Sequence, residues 1–211
     1  MINTITYEDG LPISVIVPLS KKRKDFFYSF VMPLLEANMP MEIIVNDDEG
    51  SAPVKRNVGF TQSTQPYVFF CDDDILLPAK HLEKLYKAIN NTEYGFAYSG
   101  YWGIVKYNTN HPIGKNFQIP TVEYNYNQLK RGNYISTMAL VKREIFPMFD
   151  ESLKRLQDWD IYLTMGAAGI KGKAVFDNDF YAYYLDEGIT TNSNNETQGI
   201  MTIINKHKLG M

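Results

Sequence analysis

An apolar run that ends in three consecutive carboxylates constrains this chain more than any other feature. Residues 67–70 have the composition of a buried strand, and Asp72, Asp73 and Asp74 follow after one intervening residue. Three adjacent negative charges repel one another, and the sequence supplies no Lys or Arg after them before Lys80. Such a cluster is stable as a hydrated turn, and more stable when its oxygens hold a divalent cation. Taken alone, the segment leaves both interpretations open.

Length and composition indicate an ordinary globular domain. The chain has 211 residues, of which 45% are hydrophobic and 21% are charged, so it can bury one sizeable core. We therefore expect a single domain over residues 1–211, with a ligand-binding half at 1–100 and a second half at 101–211. The net charge of −3 argues against a nucleic-acid partner.

Cysteine use and hydropathy indicate a cytoplasmic protein. Cys71 is the one cysteine, which excludes an internal disulfide and a thiolate metal cluster. The sequence contains no basic segment followed by a long apolar one at its start and no apolar stretch of membrane-spanning length. We expect no export signal and no membrane span.

Strand and helix signals alternate over the first hundred residues. The patterns predict strands at 13–17, 42–45 and 68–70, and helices over 25–38, 53–60 and from Pro78 to Ile89. Pro33 is expected to kink the first helix. Near-continuous apolar strands separated by helices predict an α/β fold with a mostly parallel central sheet covered on both faces.

The second half of the chain has a less regular pattern. It predicts one or two strands over 96–105, a long polar loop at 107–126, a strand at 134–141, a helix at 158–168, strands at 174–176 and 181–184, a turn-like segment at 190–197 and a terminal helix. We interpret the long loop as a functional lid, with disorder as the alternative. This half is expected to form a smaller, irregular region.

The ends of the three predicted parallel strands indicate a ligand site. In open sheets of this kind, ligands bind beyond the carboxyl ends of the strands. Two of the three ends carry acids, Asp47-Asp48 and the 72–74 triplet, which predicts carboxylates gathered at one edge. The basic run 21–24 follows the remaining end. It could attract a phosphate-rich ligand or an anionic membrane, or it could be a solvated loop.

Five segments, in this order, resemble the inverting glycosyltransferases of family 2, which have the Rossmann-like GT-A fold. They are Ile13–Pro18, Glu42–Ser51, Lys55–Gly59, Val68–Asp74 with Pro78, and Phe149–Leu153 with Gln157–Asp160. The resemblance implies transfer of a hexose from a nucleotide-diphospho-sugar, in particular a UDP-sugar, to a hydroxyl of a glycan or other acceptor, with inversion. It also implies a requirement for Mn²⁺ or Mg²⁺, and such a domain can be one part of a larger multidomain protein.

The resemblance also assigns roles to individual residues. Asp74 matches the direct metal ligand, Asp72 lies near both the metal and the ribose, and Asp73 belongs to the same donor-binding segment, although alternation along an extended chain can turn it away. Glu49 is inserted after the two acids of the second strand, so either acid can pair with the nucleotide base. The residues that it assigns to the nucleotide are Pro18, Ser20, Asp47, Asp48 and Arg56, with Lys55 as a weaker second cation. A helix-surface position is the alternative for both cations.

An inverting transfer needs a base for the acceptor hydroxyl, and Asp158 holds the matching position. The family usually has Glu-Asp here, whereas this chain has Gln157-Asp158. Asp160 is the second candidate. Alternatively, Asp158 only caps a helix. Trp159 could support an acceptor sugar or be a buried aromatic.

Two departures from the family pattern keep other functions open. Many relatives have a further metal-binding His, but His81, His111 and His207 do not match its position, which leaves Asp186, phosphate or water to complete the site. Lys115 is a speculative phosphate contact. A non-catalytic module that binds nucleotide-sugars is therefore one alternative. A sugar-1-phosphate nucleotidyltransferase is the other, although residues 19–23 lack the glycines that its phosphate loop needs.

Overall fold

Two β-sheets form the framework of the protein. The computed structural model describes residues 1–105, 115–177, 180–184 and 194–209. Within these residues, the larger sheet has seven strands: β1 Ile2–Thr6, β2 Leu11–Pro18, β3 Pro40–Asn46, β4 Tyr67–Phe70, β6 Phe96–Tyr98, β9 Ala139–Lys142 and β10 Gly172–Ala174. The smaller sheet has four: β5 Ile75–Leu76, β7 Tyr101–Val105, β8 Phe117–Ile119 and β11 Phe180–Tyr184. The strand order is β1-β3-β2-β4-β9-β6-β10 in the larger sheet and β5-β11-β7-β8 in the smaller one.

The large sheet is mostly parallel, as the apolar strands predicted. Strand β2 pairs in parallel with β3 on one side and β4 on the other. Strand β9 runs antiparallel to both β4 and β6, and β10 is parallel to β6, so only β1 and β9 run against the rest. One or two strands were expected over 96–105, and the structure has two, β6 in the large sheet and β7 in the small sheet. Strand β10 lies at the outer edge and is three residues long.

Helices cover both faces of this sheet, so the predicted α/β class is confirmed. The first helical segment, α1, consists of 3-10 turns Lys21–Arg23, α turns Lys24–Phe26, a π turn Phe27–Val31 and α turns Met32–Ala37. The remaining helices are α2 Ala52–Gln62, α3 His81–Ile89, α4 Tyr126–Leu129, α5 Gln157–Ala167 and α6 Asn194–His207. A short 3-10 turn, Arg143–Ile145, follows β9. No helix in the described ranges is both long and apolar enough to cross a bilayer.

Alternate side chains of the central strands enter two separate cores. Val15 and Phe69 pack with α1, α3 and the small sheet on one face. Ile16 and Phe70 pack with α2, α5 and α6 on the other face. Strands buried on both sides need apolar residues at nearly every position, which explains why these runs do not alternate with polar residues.

Pro33 shapes α1 through a widened turn rather than a sharp kink. A proline ring clashes with the carbonyl four residues earlier and donates no hydrogen bond. The π turn Phe27–Val31 ends two residues before Pro33 and contains Ser29, whose carbonyl is the one four residues before the proline. Widening the helix there makes room for the ring, and α1 then continues to Ala37.

Parts of the second half differ from the sequence-based expectation. The strand predicted at 134–141 is confined to Ala139–Lys142, because Tyr134 instead pairs its hydroxyl with the Asn125 backbone. The predicted loop 107–126 contains strand β8, Phe117–Ile119, which pairs with β7. Residues 107–114 of the proposed lid lie outside the described residues, and the lid role remains a prediction.

Three further differences concern short elements, two of them near the ends of the described chain. Strand β1 was not predicted, because Ile2–Thr6 is a partly exposed edge strand with no strong apolar run. The turn predicted at 190–197 is wrong from residue 194 onward, where α6 begins. Residues 190–193 lie outside the described residues. The strand predicted at 174–176 lies two residues earlier, at Gly172–Ala174.

A buried amide fastens α2 to the segment that precedes α5. Asn57 donates to the Phe149 carbonyl at 2.9 Å and accepts from the Phe149 N–H at 2.8 Å. Its side chain also donates to Glu151 Oε1 at 2.9 Å. These bonds satisfy both backbone groups of a buried residue, so they hold residues 149–151 in register with α2.

We expect Asn57→Ala to lower the free energy of unfolding by about 2–4 kcal/mol, because the Phe149 N–H and carbonyl lose their partners while buried. Urea denaturation followed by circular dichroism measures the change. Gln62→Ala, at an exposed position of the same helix, is the control and should change stability by less than about 0.5 kcal/mol. Equal stabilities for the two variants would contradict this account of the segment.

Candidate active site

The carboxyl ends of β2, β3 and β4 meet at one rim of the large sheet, where they border a cleft of about 510 Å³. The strands are parallel and in register, so the turns that follow them emerge side by side. Most residues singled out from the sequence lie here. They are Pro18, Ser20, Asp48, Arg56, Asp72, Asp73 and Asp74. The structure therefore brings them together, while their binding roles remain predictions.

Asp73 is the buried member of the acidic triplet. Its side chain is 1% exposed, and it accepts hydrogen bonds from the Ser20 N–H at 2.6 Å and from Arg23 Nε at 2.7 Å. Burial raises the pKa of Asp73, and Arg23 opposes that rise. The carboxylate is thus already occupied by the protein, which favours a supporting position over contact with a ligand.

Arg23 shows that the basic run 21–24 is not simply a solvated loop. Its guanidinium lies 2.6 Å from Asp73 and 3.8 Å from Asp74, and its side chain is only a quarter exposed. Lys21 and Lys22 are exposed, as that interpretation expected, and Lys21 pairs with Glu49 at the mouth of the cleft. Sequence reasoning missed Arg23. The sequence indicated Arg23 only by its position, three residues after Ser20 at the predicted ligand-binding end of the first strand.

Asp74 faces the cleft and carries the most perturbed carboxyl group of the site. Desolvation raises its pKa to about 7, Arg23 opposes the rise, and the neighbouring acids add to it. The side chain keeps 22% of its surface exposed. Its backbone carbonyl accepts from the Tyr183 N–H at 2.9 Å, which ties the triplet to the small sheet.

Arg56 joins the acidic triplet to helix α5. One terminal nitrogen pairs with Asp72, and the other donates to Gln157 Oε1 at 3.0 Å. The guanidinium lies over the Phe149 ring at 5.2 Å, and the residue is 5% exposed. The helix-surface alternative for Arg56 is therefore wrong. Among the residues that the structure describes, none forms a hydrogen bond with its buried Nε.

Lys55, the second cation of α2, is also buried. It is 8% exposed and donates from Nζ to the Leu19 carbonyl at 2.7 Å. This bond draws the turn after β2 towards α2 and so positions Ser20 beside Asp73. Like Arg56, it does not occupy a helix-surface position.

Asp158 lies in the first turn of α5, next to the Gln157 that contacts Arg56. Desolvation raises the pKa of Asp158, while a hydrogen bond from the Trp159 N–H at 2.9 Å, Arg56 and Asn133 oppose the rise. The Trp159 bond satisfies a free N–H of the helix start, so the capping interpretation describes part of its role. The Trp159 N–H bonds to Oδ1 of Asp158, so the other carboxylate oxygen, Oδ2, takes no part in this bond.

The other residues of this motif are structural. Asp160 is 3% exposed and faces α6, where it contacts Lys206 Nζ at 2.9 Å and His207 Nε2 at 2.7 Å. This contact uses its carboxylate away from the rim, so the geometry favours Asp158 over Asp160. Trp159 is buried and donates to the Leu129 carbonyl at 2.7 Å, as the buried-aromatic alternative expected.

Asp47 and Asp48 follow β3 at the same rim. Asp47 contacts the Met1 nitrogen at 2.7 Å and Lys24 Nζ at 3.4 Å, and Asp48 contacts the same Met1 nitrogen. The Asp48 N–H donates to Asn46 Oδ1 at 3.0 Å, so the turn has an Asx-type bond. Asp48 lines the cleft directly, and the choice between the two acids for a nucleotide base remains open.

The two histidines in the described part of the chain do not supply a further metal contact at the rim. His81 is buried in the core beside Phe180, and His207 contacts Asp160. His111 and Asp186 lie outside the described residues. Lys115 is exposed in the segment before β8, and its phosphate role remains a prediction.

The donor set at the rim suits a hard divalent cation bound together with a ligand. Within the described ranges, no group of three or more His, Cys, Asp or Glu side chains is arranged to hold a metal ion. Asp72 and Asp74 nevertheless offer carboxylate oxygens to one cleft, which is the chemistry that Mn²⁺ and Mg²⁺ prefer. Desolvation, together with Asp72 and Asp73, raises the pKa of Asp74, so a bound cation would favour its charged form. Oxygens of a bound diphosphate and water would complete the coordination.

Solved structures share this fold. The chain matches crystal structures of S. aureus TarS residues 1–349 alone (TM-score 0.58, 16% identity) and in complexes with UDP-GlcNAc (0.59, 15%) and UDP (0.57, 17%). The matches cover 93%, 93% and 95% of this chain, but 65%, 66% and 66% of the TarS chains, so it spans about two thirds of their length. At such low identity the likeness establishes the fold alone. No curated protein sequence matches significantly.

A protein-family sequence model also matches the chain. Residues 42–148, just over half of the 211, match the model described as glycosyl transferase family 2. The matched range contains β3, α2, β4 and the acidic triplet, and therefore most of the rim. The protein belongs to glycosyl transferase family 2.

Proposed function

We propose that the protein transfers a hexosyl group from a UDP-sugar to an acceptor hydroxyl with inversion, in a reaction that requires Mn²⁺ or Mg²⁺. The observation that carries the proposal is the bridge made by Arg56. It contacts Asp72 on the donor side and Gln157 at the start of the helix that bears Asp158. Arg56 thereby links the acidic triplet to the start of the helix that bears Asp158.

In the proposed reaction, the acceptor oxygen bonds to the anomeric carbon on the face opposite the diphosphate. The bond between that carbon and the diphosphate oxygen breaks, and the acceptor proton passes to Asp158. One displacement of this kind inverts the anomeric centre and needs no covalent enzyme intermediate. Desolvation raises the pKa of Asp158, which makes its carboxylate a stronger base than a solvated aspartate.

Asp74 and Asp72 would hold the divalent cation against the diphosphate. When bound, the cation supplies Lewis-acid stabilisation of the charge that develops on the leaving group. Asp73 and Arg23 act behind these residues, since their mutual ion pair fixes the turn that presents Asp74. Arg56 is positioned to stabilise phosphate charge as well as to orient Asp72.

The choice of UDP rests on two supporting observations. A carboxylate such as Asp47 or Asp48 can accept from the N3–H of uracil. Both acids follow β3 at the rim where β2 ends at Pro18, and Asp48 lines the cleft together with Pro18 and Ser20. The TarS structures of the same fold were solved with UDP-GlcNAc and with UDP. Family membership favours glycosyl transfer over the nucleotidyltransferase alternative.

The Gln157 substitution does not by itself favour a non-catalytic module. Its side-chain oxygen accepts from Arg56 and its nitrogen donates to the Leu153 carbonyl at 2.9 Å. An amide performs both contacts, whereas a carboxylate could only accept. The change from Glu therefore alters how α5 is held and leaves Asp158 in place.

We expect Asp158→Asn to lower nucleotide release in the presence of acceptor by about 10²–10⁴-fold, because the acceptor proton loses its base. Stabilisation by the UDP-sugar in a thermal-shift assay should remain. Glu144→Gln, an exposed acid beyond the end of β9, is the control and should be fully active. Unchanged activity of Asp158→Asn would refute the assignment. A wild-type protein that binds donors but releases no nucleotide with any acceptor would instead identify a binding module.

We expect donor binding to depend on the cation through Asp74. In a screen of nucleotide-sugars, a UDP-sugar with Mn²⁺ should raise the melting temperature, since ligand at about 100 times its Kd adds about 2.7 kcal/mol of stability. The rise should vanish in EDTA and in Asp74→Ala. Asp9→Ala, an exposed acid outside the cleft, should respond like the wild type. Equally tight binding in EDTA would exclude the proposed role of the metal.

Asp74 should contribute a fall in the stability of the cation-free protein as the pH rises from about 4 to about 7. The folded protein retains the Asp74 proton up to a pKa of about 7, whereas the unfolded chain loses it near 4, so folding becomes less favourable between these values. Urea denaturation in EDTA measures the effect. Asp74→Asn should be more stable than the wild type at pH 8, by on the order of 2–4 kcal/mol, and equal to it near pH 4. A difference independent of pH would contradict this.

A further inference from the structure

The outer side of the small sheet is an exposed aromatic surface beside the proposed reaction site. Strands β11 and β7 place Tyr181 directly next to Trp102, and these side chains are 43% and 37% exposed. The opposite side of the same strands is buried, since Phe180 is 0% exposed and Ala182 is 7% exposed. We call the outer side the aromatic face; it consists of Leu76, Trp102, Ile104, Gln118, Tyr181 and Tyr183.

The register of the small sheet connects the aromatic face to the cleft. The Tyr183 N–H donates to the Asp74 carbonyl at 2.9 Å, so this end of β11 lies at the acidic triplet. Tyr183 pairs with Ile104, and Tyr181 and Trp102 form the next outward-facing row. Successive rows on one side of a strand are about 6.6 Å apart. The face therefore extends from the triplet in steps comparable to the size of a sugar ring.

Aromatic side chains continue the surface past Tyr183 onto α1. The Tyr183 ring lies 5.8 Å from the Phe26 ring, and Phe26 lies 5.2 Å from Phe30, which is 58% exposed. Monomeric proteins seldom leave large contiguous apolar patches in water, and those that they do leave are often functional. This surface is thus a candidate for ligand contact.

The chemistry of the face favours one kind of ligand. None of the six side chains that define it in the described strands is charged, which gives no attraction for an anionic polymer. Trp and Tyr combine an apolar ring with a polar tip, and Gln118 adds an amide. A neutral sugar ring has the matching pattern, with apolar C–H faces and hydroxyl groups at its edges.

We propose that the aromatic face binds a neutral glycan chain and guides its terminal hydroxyl to the cleft. The inference deepens the proposed function, on which it rests for the identity of the reaction. Trp102 and Tyr181 would stack on sugar rings behind the reacting one, so they would set acceptor affinity without touching the reacting atoms.

The chain contains two tryptophans, which allows direct measurement of glycan binding. Trp159 is only 6% exposed, so quenching by iodide reports on Trp102. We expect neutral hexasaccharides, from a set of β-1,4-linked and α-1,4-linked glucose and β-1,4-linked N-acetylglucosamine, to protect Trp102 from iodide. Trp102→Phe keeps an aromatic ring but should abolish the protection signal, which verifies the reporter.

Variants separate a binding surface from a structural one. Tyr181→Ala should weaken the best hexasaccharide roughly tenfold, the loss expected for one aromatic stacking contact. Met201→Ala, an exposed apolar side chain of α6, is the control and should bind like the wild type. In turnover assays, Tyr181→Ala should raise the KM for the glycan and leave kcat and the donor KM unchanged.

The outcomes are distinct from those that test the reaction itself. Protection by a hexasaccharide without any stabilisation by nucleotide-sugars would support the aromatic face and refute the proposed function. Donor binding without protection by any of the hexasaccharides would overturn the aromatic face alone. Protection by phosphatidylcholine vesicles, or by self-association seen in sedimentation, in place of sugar would also overturn it.

Discussion

Charge compensation at the end of β4 is the interaction on which the site depends. The segment that carries the three consecutive aspartates has no Lys or Arg of its own before Lys80, so the compensating charge comes from other elements. Arg23 comes from the start of α1 and Arg56 from α2, and each contacts a different member of the triplet. Because the two helices pack on opposite faces of the sheet, the acidic turn is held from both sides. The positions of α1, α2 and β4 are therefore coupled through charge as well as through apolar packing.

The negative charges of the three aspartates are compensated to different degrees, and these differences correspond to the proposed roles. Asp73 is buried and fully engaged by Arg23 and the Ser20 N–H, whereas Asp74 keeps 22% of its side-chain surface exposed and has only a distant guanidinium. A carboxyl group held in this way costs stability until a cation or ligand neutralises it. Such local costs are common where a protein must bind something else, because the arrangement suits the bound state.

Local patterns in the sequence were sufficient for the framework of the fold. The runs at 13–17, 42–45 and 68–70 are apolar apart from Ser14 and Glu42, and each is followed by turn-forming or acidic residues, so both the strands and their shared rim could be predicted. The second half was harder. Its strands are short, and Tyr134 lies in a segment whose hydroxyl and backbone contacts replace strand pairing. The edge strand β1 was missed because edge strands need few apolar residues.

The contacts of the site depended on tertiary structure and could not be read from sequence. Arg23 lies in a run of four cations, and a run of like charges is usually solvated, but one member turned inward to Asp73. Gln157 seemed to weaken the family pattern, yet it contacts Arg56 across a separation of 101 residues. No local sequence pattern indicates a contact partner that lies so far away in the sequence. The roles of Asp47, Asp48, Asp72, Asp74 and Asp158 were inferred from family resemblance. The structure adds that Asp48, Asp72 and Asp74 line one cleft and that Arg56 links Asp72 to the start of the helix that bears Asp158.

Strand β10 gives the large sheet an edge that resists association with other chains. It offers only three residues of unpaired backbone, and its central Lys173 is held over the Tyr94 ring at 5.5 Å. An incoming strand would meet few hydrogen-bonding groups and a fixed positive charge. Sheet growth into fibrils or edge-to-edge dimers is therefore disfavoured on this side.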